Sequence, residues 1–480
     1  MSESKSNSKK KTSNSLVPNK PTTGQRPRLF GTDGIRGTSG RFPMTPEVVV
    51  KVGQAMGYLL RQNPSRRGGG ARTVLIGKDT RLSGYMIEQA LASGLNSMGV
   101  RVQLTGPLPT PGIGFVAQNM RADAGIVISA SHNAYYDNGI KIFGPDGFKI
   151  PDEMEREIER LVFEVDLNGM LADPDEIGRS RRIEDAAGRY IVYAKNAFPL
   201  NLSLDGLRIV LDCANGSAYR VAPAIFEELG AEVIVLGNDP NGFNINDKTG
   251  ALYPDKTAQA VLKYRADVGI SLDGDADRVI MVDNKGHLVN GDHILAIAAI
   301  HLAKKNKLPK ETIVATQMSN IGLDNLLKQY GVKVVRTSVG DKYVVDEMRR
   351  NGYVLGGEQS GHIIFLEHST TGDGCVAALN VLAVMQAENK TLAELNELMV
   401  DLPQVLINTR VGHRRELSDL PGYNQLIVDV ENKLAGAGRV FVRFSGTEPV
   451  VRVLVEGPDK RLISQYAEEI ASFLQKHLAD

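Results

Sequence analysis

Short runs of β-branched and aliphatic residues alternate along the chain with longer stretches whose apolar positions recur every three or four residues. These are the signatures of buried strands and amphipathic helices. Thr73–Gly77 predicts a strand, Ser83–Met98 a helix and Val100–Thr105 a strand, with a further helix near Pro111–Asn119 leading to the apolar run Ile126–Ile128. Arg208–Asp212, Val221–Leu229 and Glu232–Leu236 repeat the strand, helix, strand order, as do Thr312–Thr316, Asn320–Gln329 and Lys333–Thr337. Strands alternating with helices in this way are βαβ units with parallel pairing and right-handed crossovers. The last segment differs: Val405–Val411 reads as a strand, Phe441–Phe444 and Val450–Glu456 as a strand pair around a turn, and Arg461–Leu478 as an amphipathic helix. The expected fold is α/β, with three similar α/β mixed-sheet domains followed by a smaller α+β C-terminal domain.

A chain of 480 residues is too long for one hydrophobic core and corresponds to about three domains, with four permissible. Lysine plus arginine and aspartate plus glutamate balance at 56 each. No net field therefore draws the chain to nucleic acid or to an anionic membrane, and an anionic ligand must be held by a local site. Two cysteines, Cys213 and Cys375, fit neither a disulfide framework nor a metal cluster and indicate a reducing compartment, the cytoplasm. Residues 1–26 hold almost no apolar content to offset the entropy of ordering, so a disordered tail is expected there. No signal-peptide core is present, and Ile294–Leu302, the longest apolar run, is far short of a membrane span. The expected division is 1–26 tail, 27–185 first α/β domain, 186–290 second, 291–403 third and 404–480 the α+β domain.

Four stretches carry candidate chemistry. After the strand at Ile126–Ile128 come Ser131, His132 and Asn133, two tyrosines and a turn-forming Asp137-Asn138-Gly139. Ligands in open α/β sheets bind beyond the carboxyl ends of strands, which is where Ser131 stands as a candidate nucleophile. On these residues alone, a strand-ending turn that caps the next helix has the advantage. Asp273, Asp275 and Asp277 alternate in DGDADR between two apolar runs, and three such carboxylates repel one another unless a cation sits among them. An EF-hand is excluded, because Arg278 and Asn284 stand where that loop needs Gly and Glu. Mg²⁺, which takes few carboxylates and completes its shell with water and phosphate oxygens, suits the set. In Gly356–His362, glycines flank Glu358, Gln359 and Ser360, an inventory for reading sugar hydroxyls, with His362 available as an acid or base, although a lone His beside Ile363-Ile364-Phe365 is more often a satisfied core histidine. Arg443-Phe444-Ser445-Gly446-Thr447-Glu448-Pro449, followed by Arg452, reads either as a phosphate cradle or as a tight hairpin turn. A Gly-rich loop, Arg28–Gly37, contributes Arg36. Gly112–Ala117 matches a dinucleotide pattern, but Pro107, Pro109 and Pro111 precede it where a strand is required, so no nucleotide is implied.

Together these stretches resemble the α-D-phosphohexomutase superfamily, from about Arg28 to Asp480, with a phosphoserine loop, a metal loop, a sugar loop and a phosphate loop in that order. The resemblance implies four domains around a central cleft, a phosphosugar as the partner, and transfer through a phosphoserine at Ser131. It implies one Mg²⁺ per subunit on Asp273, Asp275 and Asp277 together with the Ser131 phosphate. Lys141, Arg36 and His132 would surround the transferring phosphate, with Lys141 and His362 as candidates for proton transfer. Glu358 and Ser360 would grip sugar hydroxyls, and Arg278 would pair with its own loop or reach the substrate. Arg443, Ser445, Gly446, Thr447 and Arg452 would hold the phosphate that is not reacting. FGTDGIRG, GGEQSGH, Thr371-Gly372-Asp373-Gly374 and Ser338-Val339-Gly340-Asp341 point within the superfamily to exchange between glucosamine 6-phosphate and glucosamine 1-phosphate. A glucose or mannose phosphate mutase is the nearer alternative, and a non-catalytic phosphosugar-binding protein the further one. Ala134 departs from the proline that usually follows the His-Asn pair. A hinge for the last domain is expected near Asp401–Gln404, and a homodimer is an assembly that the resemblance allows.

Overall fold

Each apolar run finds a strand partner, and the strands collect into four sheets. The computed structural model describes residues 28–31, 33–62, 71–413, 415–445 and 450–478, and the counts given below refer to these. The tail expected over 1–26 lies outside them. The first sheet contains β1 (Phe30–Gly31), β2 (Gly34–Thr38), β3 (Thr73–Lys78), β4 (Arg101–Pro107), β5 (Ala124–Ile128), β6 (Asp137–Phe143) and β7 (Ser180–Arg182), in the order β1-β2-β6-β5-β3-β4-β7. Strands β3, β4, β5 and β7 run parallel, with the helices Ser83–Ser97 and Thr110–Asn119 as crossovers. Strand β6 returns antiparallel to β5, Val127 facing Lys141. The turn expected at Asp137-Asn138-Gly139 is therefore corrected to the start of a strand. Ile140, Ile142 and Phe143 just beyond it are buried, and burying their backbone requires pairing from Asp137 onward.

The second and third sheets repeat this plan. The second holds β8 (Arg208–Asp212), β9 (Glu232–Leu236), β10 (Val268–Leu272), β11 (Val279–Asp283) and β12 (Leu288–Val289), with β8 parallel to β9 and β10 and with β11 turned back on β10. The third holds β13 (Thr312–Thr316), β14 (Lys333–Thr337), β15 (Leu355–Gly357) and β16 (Ile363–Phe365), with β16 turned back on β15. The expected parallel units are present, and the antiparallel returns make each sheet mixed. In the fourth, β17 (Gln404–Arg410), β18 (Arg439–Phe444) and β19 (Val450–Glu456) pair antiparallel in the order β17-β19-β18. Val451, Val453 and Val455 alternate along β19 and are buried, in one apolar cluster with residues of the helices Tyr423–Leu434 and Lys460–Leu478.

Burial unites the first three sheets and sets the fourth apart. One apolar cluster runs from Leu75 and Ile113 through Ile209 and Val279 to Leu323 and Leu379, crossing all three α/β sheets. Val430, Val451, Ile470 and Leu474 belong to a separate cluster. The loops after β5, β10 and β15 are therefore fixed to one another by a shared core, each at the carboxyl end of a strand with a parallel neighbour.

The helices Pro46–Gln62 and Ser83–Ser97 cross with their backbones nearly touching. A Cβ on Gly94 would lie 2.2 Å from the Val50 carbonyl oxygen, and one on Gly53 would lie 2.7 Å from that of Leu91. Gly94→Ala must push the helices apart, and is expected to destabilise the fold by about 1–3 kcal/mol. Gly188→Ala in the helix Ala186–Lys195 meets nothing within 4 Å and is expected to stabilise by about 0.4–1 kcal/mol. Thermal unfolding of the two variants beside the parent checks both signs.

Candidate active site

The loop between β5 and β6 delivers Ser131. Ser129 Oγ accepts from the Ser131 amide at 2.9 Å and donates to Asp79 at 2.6 Å. Ser131 takes a φ of +51°, a left-handed conformation that non-glycine residues hold mainly where surrounding contacts over-determine it. Its hydroxyl donates to Asp273 Oδ2 at 2.7 Å and lies 3.3 Å from His132 Nδ1. The candidate nucleophile of the first sheet thus meets the metal loop of the second.

That loop, Asp273–Arg278, closes the β10–β11 hairpin, with Leu272 opposite Val279. Ligand atoms of the buried Asp273, Asp275 and Asp277 lie within 4.8 Å of one another. Burial, with Asp277 and Asp275 beside it, holds the Asp273 carboxyl well above the usual range. Burial pushes Asp275 up as well, but Lys141 and Thr110 outweigh it and hold that carboxyl below its ordinary value. Thr110 Oγ1 donates to Asp275 Oδ2 at 2.6 Å, and the Lys141 ammonium lies 3.0 Å from Asp275, 3.2 Å from Asp277 and 3.3 Å from Asp33. Against the cost of burial, these carboxylates keep Lys141 charged, its pKa well above the usual lysine value. Asp275 Oδ1 and Asp277 Oδ1 are buried with no hydrogen-bond partner. Acceptor-only oxygens in such a set suit a hard divalent cation.

Register places the remaining charges of the first sheet. Arg36 stands opposite Gly139 on β6, and residues two apart on a strand share a face, so Arg36 and Lys141 share one. Arg36 pairs with Asp33. In the third sheet, Glu358 closes the β15–β16 turn, accepting from the Gly340 amide at 3.1 Å and from Ser360 Oγ at 3.3 Å. His362 Nε2 lies 3.9 Å from Asp277 and 3.7 Å from Asp341, and neither ring nitrogen has a hydrogen-bond partner. Arg278 donates its amide to Asp273 at 3.1 Å, and its guanidinium, opposed by burial, is held charged by Asp277, Asp273 and Glu358. The segment Thr371–Gly374 packs on the metal loop, Gly374 N donating to the Ala276 carbonyl at 3.0 Å. In the fourth sheet, Arg443 and Arg452 are directly opposite each other, and burial together with Arg452 lowers the Arg443 pKa. Ser445 is buried at the end of β18, and Gly446 and Thr447 lie outside the described residues.

Three charged residues that the sequence reading passed over belong to the same site. Burial would raise the Asp33 carboxyl, but Lys141, Lys149 and Arg36 hold it well below its usual range. Lys149 pairs with both Asp33 and Asp341. Asp33 and Asp341 each sit inside a motif read for other residues, Asp33 in FGTDGIRG and Asp341 in Ser338–Asp341. Lys149 stands in no recognisable pattern.

Comparison with known proteins follows the same four parts. Models described as phosphoglucomutase/phosphomannomutase alpha/beta/alpha domains I, II and III match residues 27–169, 189–286 and 290–402, and that of the C-terminal domain matches 406–473. The chain is 68% identical to the phosphoglucosamine mutase of Bdellovibrio bacteriovorus, over 95% of this chain and 100% of that one. It is 55% identical to that of Geotalea uraniireducens, over 94% and 98%. A phosphoglucomutase/phosphomannomutase family protein from Burkholderia thailandensis superposes with a TM-score of 0.75 at 23% identity, covering 94% of this chain and 97% of that one. An Aspergillus fumigatus N-acetylphosphoglucosamine mutase, solved with GlcNAc-6P and magnesium, superposes with a TM-score of 0.64 at 18% identity, covering 94% and 96%.

Burying Asp273 beside two further carboxylates costs stability. Because the folded state raises the Asp273 carboxyl, the fold carries a loss of stability that is full above the raised value, shrinks as pH falls below it and is gone near the ordinary carboxylate value. Asp273→Asn is therefore expected to melt higher than the parent in chelator at pH 7, and to gain much less melting temperature when MgCl₂ or MnCl₂ is added. Equal metal-induced shifts in the two proteins would count against these carboxylates as ligands.

Proposed function

The chain belongs to the phosphoglucomutase/phosphomannomutase family, and on that premise we propose that it interconverts glucosamine 6-phosphate and glucosamine 1-phosphate through phosphorylated Ser131. It is an isomerase, an intramolecular phosphotransferase. The observation that carries the reading is the 2.7 Å contact of Ser131 Oγ with Asp273, which joins a nucleophile from one sheet to the cation site of another. The amino sugar is favoured over glucose or mannose by relatives of 55–68% identity that are phosphoglucosamine mutases.

Moving a phosphoryl group between O6 and O1 of one sugar calls for a donor that can meet either end. The bond from phosphorus to Ser131 Oγ breaks as a bond to O1 of glucosamine 6-phosphate forms, a neighbouring base relaying the O1 proton to the freed Oγ, and the second transfer runs the same relay in reverse to O6. Glucosamine 1,6-bisphosphate then turns over and returns its 6-phosphoryl group to Ser131. Mg²⁺ on Asp273, Asp275 and Asp277 would supply neutralisation of charge on the phosphoryl oxygens. Lys141 and Arg36 are fixed positive charges for the transferring group. Burial, with Arg278 and Arg36 nearby, pushes His132 down to about 4, so it serves as a neutral hydrogen-bond partner at Ser131. Lys141 and His362 are the proposed proton carriers to and from the sugar oxygen.

Glu358 and Ser360 are assigned the sugar hydroxyls, with Arg278 beside them. Like charges directly opposite on paired strands are destabilising, so Arg443 and Arg452 with Ser445 are assigned the phosphate that is not reacting, together with Gly446 and Thr447 of the same turn. The loops fall one to a domain in the proposed division 27–185, 186–290, 291–403 and 404–480. The cytoplasm is the proposed location, supported by free, buried Cys213 and Cys375. Among the described residues no helix is long and apolar enough to cross a membrane.

Intact mass of the purified protein, beside a coupled assay for glucosamine 1-phosphate with Mg²⁺, tests the reading. Ser131→Ala is expected to remove a phosphate-sized mass excess and to lower turnover by at least about 1,000-fold. Phosphorylated parent protein without turnover on any hexose or hexosamine phosphate would overturn the mutase assignment. A higher kcat/KM on glucose 6-phosphate or mannose 6-phosphate would reassign the sugar alone. Arg452→Ala, losing charge-assisted bonds, is expected to lower kcat/KM by about 10–100-fold with metal affinity unchanged by calorimetry.

A further inference from the structure

We propose that Arg81 is the positioning residue that sets the geometry of the Ser131 loop, an inference that rests on the phosphoserine reading above. Between β5 and β6 the chain has no ladder to satisfy its carbonyls, and it must still hold Ser131 in a left-handed conformation. Arg81 has 0% exposure and spends its guanidinium on this one task. Its Nη2 donates to the carbonyls of Ser131 at 2.9 Å and Asn133 at 2.8 Å. Its Nη1 donates to those of Ala134 and Asp137, the latter at 3.2 Å. Its Nε donates to Asp79 Oδ2 at 2.8 Å.

The pair closes a circuit around the nucleophile. Asp79 Oδ2 also accepts from Ser129 Oγ, which in turn accepts from the Ser131 amide. The loop is therefore gripped on entry at Ser129, at Ser131 itself, and on exit at Asp137, all through one ion pair. Ala134, where a proline ring would stiffen the backbone, gives its carbonyl to the same guanidinium. A second donor comes from beyond the second-sheet strand β9: Asn246 Nδ2 reaches the Ser131 and Asn133 carbonyls at 2.9 Å and 3.1 Å. The metal loop abuts that Ser131 carbonyl, since a Cβ on Gly274 would lie 2.6 Å from it. Releasing the carbonyl would rotate the peptide and carry Oγ away from Asp273. Only a planar fork with five N–H donors reaches four carbonyls and a carboxylate at once, so lysine cannot substitute. Arg81 touches no reacting atom and acts through Ser131.

The test uses the full-length enzyme with glucosamine 6-phosphate, Mg²⁺ and catalytic glucosamine 1,6-bisphosphate, and compares parent, Arg81→Lys, Arg81→Ala, Asn246→Ala and Ser131→Ala. Arg81→Lys is expected to lose about 100-fold in kcat with KM within about threefold of the parent, and Asn246→Ala to lose about tenfold in kcat. Millimolar guanidinium ion is expected to raise kcat of Arg81→Ala and to leave Ser131→Ala inactive. A purely structural role would lower the melting temperature while leaving kcat per folded molecule intact, and that result overturns the proposal. So does a rise in KM at unchanged kcat. Should the Arg81 variants not fold, Asn246→Ala decides alone by the same kcat criterion. An inactive parent would instead sink the mutase reading, a separate failure visible before any variant is compared.

Discussion

Three carboxylates buried within 4.8 Å of one another are the constraint to which the rest of the molecule answers. Alone, such a loop would be driven apart or protonated. Each neighbouring part of the chain supplies something against that outcome: Lys141 from β6 a charge, Thr110 from a helix start a hydroxyl, Arg278 an amide, and Ser131 a hydroxyl. The residues that make the loop tolerable come from two domains, so the loop also serves as their meeting point. A cation site that is unfavourable when empty is one whose ligand adds stability on binding, and strain of this kind is typical of functional loops.

Charge of alternating sign continues outward from this centre. Asp33 sits among Arg36, Lys141 and Lys149, and Lys149 leads on to Asp341 beside His362. The aspartate loop and the β15–β16 turn region are thus joined through a chain of largely part-buried ion pairs as well as through the shared apolar core. The fourth domain is attached differently. Arg439 donates to the Ser319 carbonyl at 2.6 Å, and buried Glu456, which meets Arg439 and Gln404 within its own domain, accepts from the Ile321 amide at 3.3 Å. These are polar contacts beside a separate core.

Much of this was legible from residues alone. Strands such as Arg208–Asp212 and Thr312–Thr316 are continuous apolar runs bounded by turn residues, and the periodic helices between them leave little choice of fold class. The alternate aspartates of DGDADR were legible because their repulsion is a local property of six adjacent residues. The return strand β6 was not, because Asp137-Asn138-Gly139 carries turn propensity that long-range pairing with β5 and β2 overrides. Lys149 and Asn246 were invisible for a related reason. Their partners lie 116 and 115 residues away in sequence, and a single Lys or Asn in a loop carries no pattern to betray such a contact. Arg81 stood in plain view in GKDTR, but its significance depends on which carbonyls the fold brings to it.

The separation of Ser131 from Asp273 by 142 residues has a consequence for how the protein is made. Translation at about 5–20 residues per second sets an interval of about 7–28 s between the emergence of the two. During that interval the Ser131 loop already has Asp79, Arg81 and its flanking strands, all earlier in the chain or close behind. Its hold from Asn246 and its meeting with Asp273 come only afterwards. On the ribosome, the Ser131 loop is thus shaped first by its own domain, and the Asn246 amide and the carboxylates that arrive later are built against a surface already partly in place.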